Sequence, residues 1–91
     1  MSVNLDFFAN ERYDLLKILS ESQIKVGEDL YINLSQEEIA AIGKMAKMKA
    51  NKIINELIEV DCLALYKGKR GKYVITEKGF KVLKLMQKKI N

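Results

Sequence analysis

The chain has no histidine, no tryptophan and no proline, and a single cysteine among its 91 residues. Without histidine there is no imidazole general base, no Ser–His–Asp or Cys–His nucleophilic site and no Cys/His zinc site. One cysteine cannot close an internal disulfide. Cys62 sits between the apolar residues Val60 and Leu63, where a free thiol behaves as a small buried hydrophobe. No base adjoins it in sequence to lower its pKa. No apolar run approaches the roughly 18 residues of a membrane span, and Met1 to Asn10 lacks the basic start and long apolar stretch of a signal peptide. The expectation is a cytoplasmic protein. No set of titratable groups is spaced like a catalytic site, so neither an enzyme nor a cofactor or metal is expected. No low-complexity linker or internal repeat is present.

What remains reads as one folded domain, residues 1–91. Apolar residues make up 48% and aromatics 8% of the chain, which separates it from disordered tails. A chain of this size buries only about 60–65% of its unfolded surface, so its core is modest and a dimer would help it. The net charge of +4 hides an asymmetry. Residues 1–43 carry three bases and eight acids, a net −5, and residues 44–91 carry thirteen bases and four acids, a net +9. Charge divided in this way suggests one face for a polyanion and another kept away from it.

Asn10 can cap a helix from Glu11 to about Ser22, with Leu15, Leu16, Ile18 and Leu19 as its apolar stripe. Gln23 to Asp29 reads as a polar loop. Leu30, Ile32 and Leu34 then alternate with Tyr31 and Asn33 as a short strand. Ser35 with Glu38 three positions later is a capping box. The helix it opens presents Ile39, Ala40 and Ile42 to the core and breaks at Gly43. The next helix, Lys47 to Val60, turns Ala50, Ile53, Ile54 and Leu57 inward. Its other face carries Lys47, Lys49, Asn51, Lys52 and Asn55, with no acid before Glu56. Met45 and Met48 read as turn and core fillers. Leu63 to Tyr66 and Tyr73 to Ile75 read as two strands around a four-residue tip, Gly68-Lys69-Arg70-Gly71, with Tyr66 and Tyr73 paired across them. Thr76 can cap a last helix, Glu77 to Ile90, whose apolar residues cover more than one stripe.

The expected fold is mainly α with a small β-hairpin, in the order α-β-α-α-β-β-α. This is the order of a winged helix, with a helix-turn-helix over 35–60, a wing over 62–76 and a C-terminal helix over 77–90. The resemblance is also local. Leu34 to Leu63 runs without a gap against the pattern of bacterial winged-helix regulators: LSQEEIA, a short turn, then a helix ending Ile-Asn-Glu-Leu-Ile-Glu. Tyr73-Val74-Ile75-Thr76-Glu77-Lys78-Gly79 looks like the strand–Leu-Thr-x-x-Gly–helix junction of the MarR-like group. The sequence departs from that pattern twice. Lys44 stands where such regulators usually have Gly, and Ala46 where they have a Ser or Thr cap. In layout the chain also resembles the small centromere-binding adaptors of tubulin-like plasmid and phage partition systems.

The resemblance implies a scaffold that binds double-stranded DNA, with the second helix of the pair in the major groove. Carried over by position, Lys47, Lys49, Asn51 and Lys52 form the groove-facing set, with Lys44 and Asn55 as further DNA-binding candidates. Asn51 and Lys49 are the expected base readers, since lysine can donate to guanine and asparagine can pair with adenine. Ser35 and Gln36 open the supporting helix, where free amides can meet a phosphate. Lys67, Lys69, Arg70 and Lys72 surround the wing tip, with Arg70 as the minor-groove candidate. Leu5, Phe7 and Phe8, with Leu85, Met86 and Ile90 of the last helix, form the candidate surface of a homodimer. An N-terminal cluster that covers the core is the competing reading of the first three. Three functions fit: a dimeric regulator of transcription acting as a repressor, a partition adaptor that also contacts a filament protein, and a winged helix used only for protein–protein contact.

Overall fold

Helix starts are fixed locally before any packing. Asn10 accepts a hydrogen bond from the Arg12 amide at 2.9 Å and opens a helix, Glu11–Glu21. Ser35 and Glu38 satisfy each other's backbone amides at 2.9 and 3.1 Å and open another, Gln36–Gly43. The computed structural model describes residues 5–90, with only the backbone at 89 and 90. In chain order the elements are α1 (Leu5–Phe8), α2 (Glu11–Glu21), β1 (Ile24–Val26), β2 (Asp29–Tyr31), α3 (Gln36–Gly43), α4 (Lys47–Glu59), β3 (Leu63–Leu65), β4 (Tyr73–Ile75) and α5 (Glu77–Ile90). A single 3-10 turn, Tyr66–Gly68, follows β3.

The core lies where α2, α3, α4 and α5 meet. Leu15, Leu16 and Leu19 of α2, Ile39 of α3, Ile53, Ile54 and Leu57 of α4, and Val82 and Met86 of α5 are buried together. Cys62 and Leu63 seal its lower edge, fully buried as the sequence suggested. Burial pushes the Cys62 thiol's pKa up, so it stays protonated and inert at neutral pH. Ile42, expected on the core face of α3, is 45% exposed. Only Ile39 and Ala40 of this short helix turn inward.

The stretch expected as a loop before the first strand is instead half of a hairpin. β1 pairs with β2 in antiparallel register, Ile24 opposite Tyr31 and Val26 opposite Asp29. Gly27, at φ +64°, supplies the left-handed turn between them. Ile24, Val26 and Leu30 are all exposed, so the hairpin lacks the half-buried alternation that marks a strand in sequence. Ile32 leaves this hairpin and exchanges two backbone bonds with Tyr73, at 2.7 and 2.9 Å. That bridge ties the first hairpin to the second, in which β3 and β4 pair with Leu63 opposite Ile75 and Leu65 opposite Tyr73.

The junction into α5 shows why its residue types recur. The Thr76 hydroxyl accepts from the Gly79 amide at 3.0 Å and donates to the Asp61 carbonyl at 2.5 Å. Gly79 lies so close to β3 that a Cβ there would run into the Cys62 carbonyl and the Ile75 side chain. Threonine caps the helix while glycine lets it approach the strand.

Two residues named for a dimer surface belong to this core. Phe8 is 3% and Met86 2% exposed, because α1 folds back on α2 and α5. Their side chains are therefore not on a surface that a second copy could cover. Leu5, Phe7 and Leu85 are half-buried, and the Ile90 side chain lies outside the described residues. Among the described side chains of α5, Phe80 is the exposed large apolar one, at 44%.

Candidate nucleic-acid interface

α3 and α4 are joined by a turn that the sequence does not ease. Lys44 closes α3 in the left-handed region, φ 55° and ψ 47°, where glycine would sit without strain. Ala46 precedes α4 and makes no side-chain cap bond. α4 is held in place from its flank. The Arg12 guanidinium grips Glu56 with two bonds, at 2.8 and 3.2 Å, while lying over the Phe7 ring at 4.1 Å. These Arg12 bonds hold the Glu56 carboxyl below the usual carboxylate range.

This flank also takes Lys49. Its ammonium pairs with Glu11 of α2 at 2.5 Å, on the same side of α4 as Glu56. Lys49 therefore stands apart from Lys47, Asn51 and Asn55, with which the sequence grouped it. Met48, expected as a filler, is 85% exposed on the outward face of α4. Met45 does pack against the core.

A groove of about 820 Å³ runs between the start of α3, α4 and the wing. Lys47, Asn51 and Asn55 of α4 form one wall, Ser35, Gln36 and Glu37 its upper rim, and Arg70 and Gly71 the opposite lip. Ile54, Ile58, Leu65 and Tyr73 make an apolar floor. The groove thus brings Ser35, Gln36, Lys47, Asn51, Asn55 and Arg70 together. Lys52, next along α4, is exposed and outside it. Across the groove mouth the Gln36 amide donates to Asn51 Oδ1 at 2.5 Å.

The wing is shorter in strand and broader in tip than its sequence suggests. After Leu65 the chain enters a 3-10 turn, with Lys67 at φ 49° and Gly68 at φ +70°. The ladder closes through Tyr66 N to Lys72 O at 2.8 Å. Tyr66 does not pair with Tyr73. It stacks on Tyr31 of β2, with ring centres 4.3 Å apart and planes 11° from parallel. Its hydroxyl donates to Asp29, which raises the phenol pKa. Lys67 lies 3.8 Å from the same carboxylate, and Lys72 sits over the Tyr31 ring. The first hairpin is thus a strut for the wing. No local signal could reveal it, because Asp29 and Tyr66 are 37 positions apart.

Three ion pairs carry acids of the N-terminal half back to the basic region. Glu37 pairs with Lys47 at 3.1 Å, Glu11 with Lys49 and Asp29 with Lys67. Each of these pairs joins an acid of the N-terminal half to a base on or beside the candidate surface. Lys44, Lys52, Lys69 and Arg70 are exposed and take part in none of the ion pairs among the described residues.

No family model and no curated protein matches the sequence. Solved structures do resemble the fold. A MarR family transcriptional regulator from Silicibacter pomeroyi superposes with a TM-score of 0.70 at 22% identity, over 94% of this chain and 54% of that one. The reduced CO-sensing protein from R. rubrum gives 0.69 at 16% identity, over 85% and 37%. A CRP/FNR family transcriptional regulator from Thermus thermophilus gives 0.65 at 16%, over 88% and 43%. The chain spans between about a third and a half of the length of these three proteins. At these identities the likeness is one of fold, and the fold is a winged helix-turn-helix.

Proposed function

We propose that the chain binds double-stranded DNA as a transcriptional regulator, a repressor that works as a homodimer. The observation that carries the reading is the groove: a wall of Lys47, Asn51 and Asn55 faces the Arg70 lip of the wing across a width open to solvent. In this reading α4 enters the major groove, and Asn51 and Asn55 meet base edges. Arg70 and Lys69 reach the neighbouring backbone or minor groove. Lys44, Lys47 and Lys52 hold phosphates, with the start of α3 at Ser35 and Gln36 beside them. Lys49, Lys67 and Lys72 act at the edges, already engaged with Glu11, Asp29 and the Tyr31 ring. The likeness to MarR and CRP/FNR family regulators supports the assignment. Two-fold pairing is expected because one such module contacts too few base pairs for high specificity, and paired half-sites lie about 34 Å apart.

Titration of fluorescent duplex at low salt tests the reading. Binding that weakens steeply with salt is expected; no binding to any duplex at low salt would leave only a protein–protein role. Footprinting then separates regulator from partition adaptor. One short palindrome fits the regulator. A long array of direct repeats fits a centromere adaptor, whose filament partner would meet the exposed Ile24, Val26 and Leu30 of the first hairpin.

A further inference from the structure

Asn51 does not stand alone in the groove. Its carboxamide oxygen accepts from Gln36 Nε2 at 2.5 Å, a half-buried bond between the first residue of α3 and the second turn of α4. The capping box at Ser35 and Glu38 fixes the backbone on either side of Gln36, so its side chain starts from a set position beside Asn51. An isolated asparagine amide can turn over, exchanging its donor and acceptor, and so can read different bases. Adenine offers an acceptor beside a donor in the major groove, whereas guanine offers two acceptors and thymine one with a methyl group.

Resting on the DNA-binding reading above, we propose that Gln36 is a positioning residue that sets the specificity of Asn51. It holds Oδ1 toward α3, so that Nδ2 points into the groove. Position 51 then acts as a donor and selects an acceptor-bearing base edge (guanine, thymine or adenine N7) over cytosine at one position of the site. Gln36 fixes which bases are preferred, and it contributes little to affinity for DNA in general, which comes from phosphate contacts.

Selection of bound duplexes from a randomised pool, followed by titration of single-position variants, tests this with the full chain. Wild type should disfavour cytosine at one position, and Asn51→Ala should lose that discrimination by about tenfold. Gln36→Ala keeps the backbone amide that can meet a phosphate and should lose the discrimination to a similar degree, read as the ratio of affinities for duplexes that differ at that one position. Gln36→Glu can only accept from Asn51, so it should turn the amide over and shift the preference toward adenine or cytosine, which present donors. The proposal is overturned if Gln36→Ala keeps the wild-type base preference, or if it weakens all sequences equally. It is also overturned if Gln36→Glu leaves the preferred base unchanged. Wild type that binds no duplex brings down the functional reading itself, which separates the two failures.

Discussion

Single residues decide whether the turns of this fold close. Gly79 was legible as part of a Thr-x-x-Gly junction, but the reason for glycine was not. The reason is the approach of α5 to the Cys62 carbonyl, a contact between positions 17 apart in sequence. Gly79→Ala should lower stability by about 1–3 kcal/mol, since backbone must shift to admit one methyl group. Urea denaturation would show it, and a wild-type midpoint would mean the junction is slack. Lys44 is the converse case. The sequence marked it as a departure, and the structure shows its cost: a left-handed conformation that costs a side-chain-bearing residue about 1 kcal/mol. Lys44→Gly should stabilise the fold by about 0.5–1 kcal/mol, part of the gain being offset by the freedom glycine adds to the unfolded chain. A lowered melting temperature would contradict this.

Among the elements, those with a buried periodic face were readable and those without were not. α2 and α3 begin where their caps place them, and the inward residues of α4 are all buried. β1 carries no sequence signal because its side chains face solvent, and α1 none because it is one turn long and folds back on the core. The position of α4 depends on a contact that no pattern foretold, the grip of Arg12 on Glu56. That contact depresses the folded-state pKa of Glu56 below its value in the unfolded chain. Its contribution is therefore present above the unfolded carboxylate pKa of about 4.3 and lost as pH falls through the folded value. Stability measured by urea from pH 6 to pH 3 should fall more steeply in wild type than in Glu56→Gln. Parallel curves would mean the pair adds nothing. The candidate groove is legible by residue type on α4 and the wing, but Lys49, of the same residue type, lies outside it. At 3.6 residues per turn position 49 lies about 160° around α4 from Asn51, and Glu11 holds its ammonium on that flank.

At the scale of the whole molecule, sequence and structure say different things about charge. The count of bases from Lys44 onward suggests a strongly positive surface, yet folding returns three acids of the N-terminal half to bases in that region. Glu37 is the one that lines the groove itself, 3.1 Å from Lys47. A phosphate approaching Lys47 must therefore displace a carboxylate, and the released Glu37 takes up a cation from solution. That uptake cancels part of the counterion release that drives binding. The pair is exposed, so it adds little to folding stability, roughly 0–1 kcal/mol at most. Its effect belongs to binding. Glu37→Gln should leave the melting temperature nearly unchanged, raise affinity for any duplex severalfold at low salt, and steepen the plot of log affinity against log salt by up to about one. Lys47→Ala should flatten the same plot, and combining the two changes should abolish the effect of Glu37→Gln. If Glu37→Gln binds as wild type does across the salt range, Lys47 is not at a phosphate.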